Sequence, residues 1–141
     1  METTDKQIIT VATSIKAPLD KVWKAWTDPG DITQWNFATD EWHSPRAEND
    51  LRQGGRFNYR MESRDGKFGF DFAGEYNDVK EKQLIEYTMG DGRKVNIRFT
   101  DKGHETLVEE TFEAEDQNSI QMQRDGWQAI LNNFKSHVEK T

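Results

Sequence analysis

From Arg56 to Phe112 the chain is built of short runs in which apolar and polar residues alternate, and after Ser119 the period becomes that of a helix. This switch constrains the fold more than any other feature. Phe57, Tyr59 and Met61 alternate with Arg56, Asn58 and Arg60. Beyond an Asp65-Gly66 turn, Phe68, Phe70, Phe72, Gly74 and Tyr76 alternate again, which predicts a β-hairpin. Ile85, Tyr87 and Met89 lead through Gly90-Asp91-Gly92 to Val95, Ile97 and Phe99, a second hairpin. A final strand over Thr106 to Phe112 follows the Asp101-Lys102-Gly103 turn. From Ser119 to Lys140, Trp127, Ile130, Leu131, Phe134 and Val138 fall on one stripe with Gln, Asn and Lys opposite. At about 1.5 Å per residue that helix is ~30 Å long, enough to cross a whole sheet.

The start of the chain supplies the other elements. Ile9, Val11, Thr13 and Ile15 alternate with Thr10, Ala12 and Ser14, a first strand ended by Pro18. Val22, Trp23 and Trp26 with charges between them predict a helix that has proline at its start. Asp28-Pro29-Gly30 stops it, a second short helix follows around Asp31 to Trp35, and an irregular segment runs through Trp42, His43 and Pro45. Four of the five tryptophans lie between Trp23 and Gly55, so this segment is expected to close one end of a cupped sheet. The predicted class is α+β: a curved antiparallel sheet wrapped around a long C-terminal helix, with two short helices after the first strand.

Composition narrows the functions such a chain can have. At 141 residues one domain over 1–141 is expected, burying roughly 68–70% of the surface of its unfolded chain. Only 33% of residues are hydrophobic but 11% are aromatic, so a few large side chains must form the interior. The net charge of −7 and pI near 5.0 argue against nucleic acid as a partner, which needs a concentrated basic surface. Cysteine is absent, which removes disulfides, thiol nucleophiles and thiolate metal sites. The polar start, Met1 to Gln7, and the lack of a long apolar stretch predict no signal segment and no membrane span, with a cytoplasmic location as the default.

The order of certain residues resembles a known family. Ala17-Pro18 with Val22-Trp23 and Trp26 comes first, then Thr27-Asp28-Pro29 with Trp35, Asp50-Leu51-Arg52 and Gly54-Gly55-Arg56-Phe57. Asp65-Gly66, Gly74-Glu75-Tyr76, Tyr87-Thr88 and Gly126-Trp127 complete the set. Together they resemble the START-like (SRPBCC) superfamily and, within it, the activator-of-heat-shock-protein-90-ATPase homologue family. The resemblance implies a helix-grip fold that holds a small hydrophobic or amphipathic molecule between the long helix and the concave sheet. Some relatives are lipid-transfer proteins or polyketide cyclase-like enzymes. The eukaryotic activator carries a separate N-terminal domain for much of its chaperone contact, for which 141 residues leave no room, so a chaperone partner is not expected.

Within that frame the candidate ligand-binding residues are Tyr59, Phe70, Phe72, Tyr87 and Phe99 on the strands, and Trp127 on the helix. Trp35, Trp42 and His43 are placed at the mouth of the cavity. Glu110 is the sharpest chemical signal: if Val108 and Phe112 face the core, a period of two puts Glu110 on the same face and Glu109 and Glu113 outside. A carboxyl there must find a partner or stay neutral. Tyr59, Tyr76 and Tyr87 can place hydroxyls inside the cup, as can an inward arginine. His43, His104 and His137 show no metal-ligand spacing, so no metal is expected, and no cofactor motif is legible. Gly54-Gly55 precedes a strand and so reads as a bulge or tight bend, whereas a phosphate loop would open a helix. Gly126 costs about 1 kcal/mol in a helix, offset either by close approach of helix to sheet or by space for a ligand beside Trp127. Three functions remain open. They are a carrier of a small apolar molecule, a cofactor-free acid/base enzyme with Glu110, Tyr87 and His43 as catalytic candidates, and a co-chaperone-like interaction module.

Overall fold

The computed structural model describes residues 7–140; the polar start read above falls almost wholly outside them. Strand β1 (Ile8–Ile15) leads into helices α1 (Leu19–Thr27) and α2 (Pro29–Trp35). Then come β2 (Trp42–Asn49), β3 (Arg56–Ser63), β4 (Gly69–Lys80), β5 (Leu84–Met89), β6 (Lys94–Asp101) and β7 (Thr106–Glu113), and helix α3 (Ile120–Lys140). The strands form one curled antiparallel sheet in the order β1-β7-β6-β5-β4-β3-β2. This is the expected helix-grip arrangement, a half-barrel with the long helix laid against its concave face and two short helices after the first strand.

Each helix forms for local reasons. Pro18 precedes α1 in an extended conformation, and α1 turns Val22, Trp23, Ala25 and Trp26 inward. Asp28 caps α2, its side chain accepting from the Asp31 backbone N–H at 3.3 Å, while Pro29 occupies the first turn where no N–H is needed. The Ser119 hydroxyl accepts from the Met122 N–H at 3.0 Å and starts α3. Buried Gln123 bonds the backbone of Glu115 and Asn118 and so fixes the chain between β7 and α3. Leu131, Phe134 and Val138 are fully buried, each burial being worth about 1.5–3 kcal/mol.

One expectation fails here. Trp42, His43 and Pro45 are not irregular but belong to β2, the edge strand of the sheet. Its register against β3 shifts between His43 and Arg46, so Pro45 sits in a bulge, and an edge strand tolerates its missing N–H.

Three glycines are required by geometry. A Cβ on Gly55 would lie 2.1 Å from the Asp50 carbonyl oxygen, and its neighbour Gly54 has φ +82. This pair is the tight bend expected from the sequence, tied to β4 by hydrogen bonds in both directions with Tyr76. Gly74 faces Phe57 across β3 and β4, and a Cβ there would come within 2.8 Å of the Phe57 ring.

Gly126 is different. A Cβ would meet nothing within 4 Å, so close approach to the sheet is not its reason. Gly126→Ala is therefore expected to stabilise the protein by up to about 1 kcal/mol, read as a higher urea midpoint at unchanged slope.

Candidate functional site

The concave side of the sheet is not completely filled. A cavity of about 240 Å³ lies under α3, near the lower end of small-molecule sites at roughly 300 Å³. Its wall follows from strand periodicity: Phe57, Tyr59 and Met61 of β3, Phe70, Phe72 and Tyr76 of β4, and Ile85, Tyr87 and Met89 of β5 all point inward. Phe57 is the hub, with ring centroids 4.8 Å from Tyr59, 4.8 Å from Tyr87 and 5.4 Å from Tyr76. Trp127 of α3 closes another side, stacked on Phe112 at 3.8 Å and 12°.

The end near α2 is held in place by the C-terminal half of α3. His137 Nε2 lies 2.9 Å from Asp31 Oδ1, and Lys24 Nζ donates to the other oxygen of Asp31 at 2.8 Å. Asn133 donates to the Phe37 carbonyl. These bonds fix the segment that carries Trp35 and Asn36, both of which line the cavity. Trp35 also donates from its indole N–H to the Ala25 carbonyl at 2.9 Å, which locks its ring.

Few polar groups face this apolar space. Glu110 on β7 is 5% exposed, between inward Val108 and Phe112 as the alternation required. Among the described residues its carboxyl has neither a hydrogen bond nor an ion pair, and burial pushes its pKa up to about 8. At neutral pH it is mostly a neutral acid. Tyr87 is buried nearby, and burial first, then the Glu110 charge, hold its hydroxyl well above the usual value. Tyr76 donates to Asn49 Oδ1 at 2.5 Å, while Asn49 Nδ2 donates to the Thr27 carbonyl at 2.8 Å, so this hydroxyl is already engaged. Burial raises Tyr76 to about 12 and holds Tyr59 well above its ordinary value. The arginine at the cavity is Arg93, from the turn after β5. Its Nε donates to Asp91 at 2.8 Å, and it does not neutralise Glu110.

Of the residues singled out in the sequence, Trp35, Tyr59, Phe70, Phe72 and Tyr87 line the cavity together with Glu110 and Trp127. Three others lie elsewhere. Phe99 fills the core beside α1, 5.1 Å from Trp23 and 5.9 Å from Trp26. Trp42 meets Phe70 edge-on at 5.8 Å without lining the cavity, and His43, on the same edge strand, faces Glu62 at 3.9 Å. His43 is thereby separated from Glu110 and Tyr87. Phe57, Met61 and Met89, each of which shares strand parity with a candidate residue, line the cavity as well, and so does Trp26 of α1. Arg93, in a polar turn, gave no such signal.

A curled sheet gripping a long helix is also the fold that comparison with known proteins finds. The family described as activator of Hsp90 ATPase homolog 1-like protein matches residues 16–139. The chain belongs to this family. The solution structure of the AHSA1-like protein from Aeromonas hydrophila is 40% identical, with a TM-score of 0.90 over 95% of this chain and 93% of its own. A solution structure from Cytophaga hutchinsonii is 50% identical, with a TM-score of 0.82 over 94% and 92% of the two chains. A crystal structure from Nitrosomonas europaea shares the fold at 14% identity, with a TM-score of 0.82 over 98% and 97%. A search of curated proteins found no match. For this AHSA1-like protein, no helix among the described residues is long and apolar enough to cross a membrane.

Proposed function

We propose that this AHSA1-like protein binds a small, mostly apolar molecule with one polar end, held between α3 and the concave sheet. The observation that carries the reading is the pairing of an aromatic cavity with a buried carboxyl that has no partner among the described residues. An unpaired buried polar group costs stability, on the order of 1–3 kcal/mol, and a ligand that bonds to it recovers part of that. The superfamily resemblance supports the same site. An environment-sensitive apolar dye is expected to bind the native protein at one saturable site, displaced by whatever small molecule co-purifies with the protein and is identified by native mass spectrometry. Trp127→Ala is expected to weaken the dye severalfold, because it removes the ring stacked on Phe112. Dye binding that never saturates, or that ignores Trp127→Ala, would count against the cavity as the site.

Cofactor-free acid/base catalysis is a second reading, favoured by the burial of Glu110 in the cavity near Tyr87, which pushes its carboxyl up to about 8. A carboxyl so tuned can give and take a proton at physiological pH. In that case Glu110→Gln abolishes turnover while leaving binding measurable, which separates an enzyme from a carrier.

A further inference from the structure

We propose that the Glu110 end of the cavity selects an uncharged ring-containing molecule that presents a hydrogen-bond-accepting oxygen, and that it rejects amphiphiles ending in a carboxylate, fatty acids included. This deepens the small-molecule reading and rests on it. The cavity that holds Glu110 is almost free of charge. Trp26 of α1, Trp35 and Asn36 beside α2, Ile97 of β6, and Trp127 and Ile130 of α3 carry no charge. Tyr59, Tyr76 and Tyr87 line the same cavity from β3, β4 and β5, Tyr87 feeling the Glu110 charge, and Arg93 is the one basic side chain at the cavity among the described residues.

A ligand carboxylate taken into such a space needs a cation, since an unpaired buried charge costs several kcal/mol. The Arg93 charge is already paired with a carboxylate: its Nε donates to Asp91 at 2.8 Å, and one Nη reaches the Glu113 carbonyl at 3.4 Å. A ligand ammonium needs an ionised Glu110, and the same burial that shields the carboxyl opposes that ionisation. An uncharged acceptor has neither problem. The hydroxyl of protonated Glu110 and that of Tyr87 are donors without a protein acceptor among the described residues, whereas Tyr76 already donates to Asn49. A carbonyl oxygen has two lone pairs and can take both.

Three probes of one ring system test this with the full chain: acetylnaphthalene, naphthoate and naphthylmethylammonium, measured by calorimetry at neutral pH. The ketone is expected to bind at least about tenfold more tightly than either ion. Its affinity is expected to fall roughly tenfold from about pH 6 to about pH 9 as Glu110 loses its proton, with circular dichroism confirming the fold at each pH. The three tyrosines, raised above their ordinary value, do not titrate in this range. Glu110→Gln keeps a donor in place but cannot ionise, and is expected to flatten the profile. Naphthoate or the ammonium binding as tightly as the ketone overturns the inference and leaves the cavity reading standing, as does a ketone affinity independent of pH in the unaltered protein. If none of the three binds, the inference fails, and the dye experiment decides whether the cavity reading fails with it.

Discussion

Glu110→Gln is expected to make the protein more stable at neutral and alkaline pH and to leave it nearly unchanged in acid. The carboxyl has a folded pKa of about 8 against an ordinary 4.5, and burial is the cause. Below the unfolded value both states are protonated and the group adds no pH dependence. Between the two values the unfolded chain gives up its proton while the native state keeps it, so stability falls as pH rises, and it levels off above the folded value. The gap corresponds to a loss of up to about 5 kcal/mol, an upper bound because water entering the cavity would relieve part of it. Glutamine resembles the neutral acid in shape and does not ionise in either state. Urea melts across this range should give wild-type and variant midpoints that coincide near pH 4 and diverge toward about pH 8. Parallel curves would mean that Glu110 is hydrated or paired in solution.

Phe134→Ala is expected to cost about 3–5 kcal/mol. The ring is fully buried and wedged between two tryptophans, its centroid 4.8 Å from Trp26 at 78° and 4.8 Å from Trp35 at 69°. These edge-to-face contacts join α3 to both short helices, so truncation leaves a void that three elements would have to collapse to fill. Phe68 is the natural control. It is 65% exposed in the turn between β3 and β4, and Phe68→Ala should change stability by no more than about 0.5 kcal/mol. Similar thermal shifts for the two variants would contradict the packing described here.

Where the chain alternates or keeps a helical stripe, sequence and structure agree closely. The inward position of Glu110 follows from Val108 and Phe112 alone, and the burial of Leu131 and Phe134 from the α3 stripe. Parity gives the face of a strand but not the position along it. Val95, Ile97 and Phe99 share one face of β6, yet Ile97 borders the cavity while Phe99 lies under α1, where Trp23 and Trp26 fill the sheet. Strand β2 gives no strand signal because its residues from Trp42 to Asn49 are mostly polar, carry a proline and do not alternate. Those traits belong to an edge that meets solvent on one side. Asp91-Gly92-Arg93 reads as a hairpin turn and is one. That its arginine folds back against the cavity depends on the bond to Asp91, which no periodicity encodes.

The strand order has a consequence for how the chain comes together. Every neighbouring pair from β2 through β7 is joined by a local connection, but β1 pairs with β7, so that Val11 lies opposite Glu110 and Thr10 meets Thr111, 101 positions away in sequence. Closing such a loop costs entropy before any contact rewards it. During synthesis β1 leaves the ribosome first and has no partner until β7 follows, while the hairpins between them can already form. The strand that brings its partner Glu110 into register is thus among the last to be matched. The carboxyl is sealed from water only when β1 and α3 dock, so its uptake of a proton should report the final step of folding.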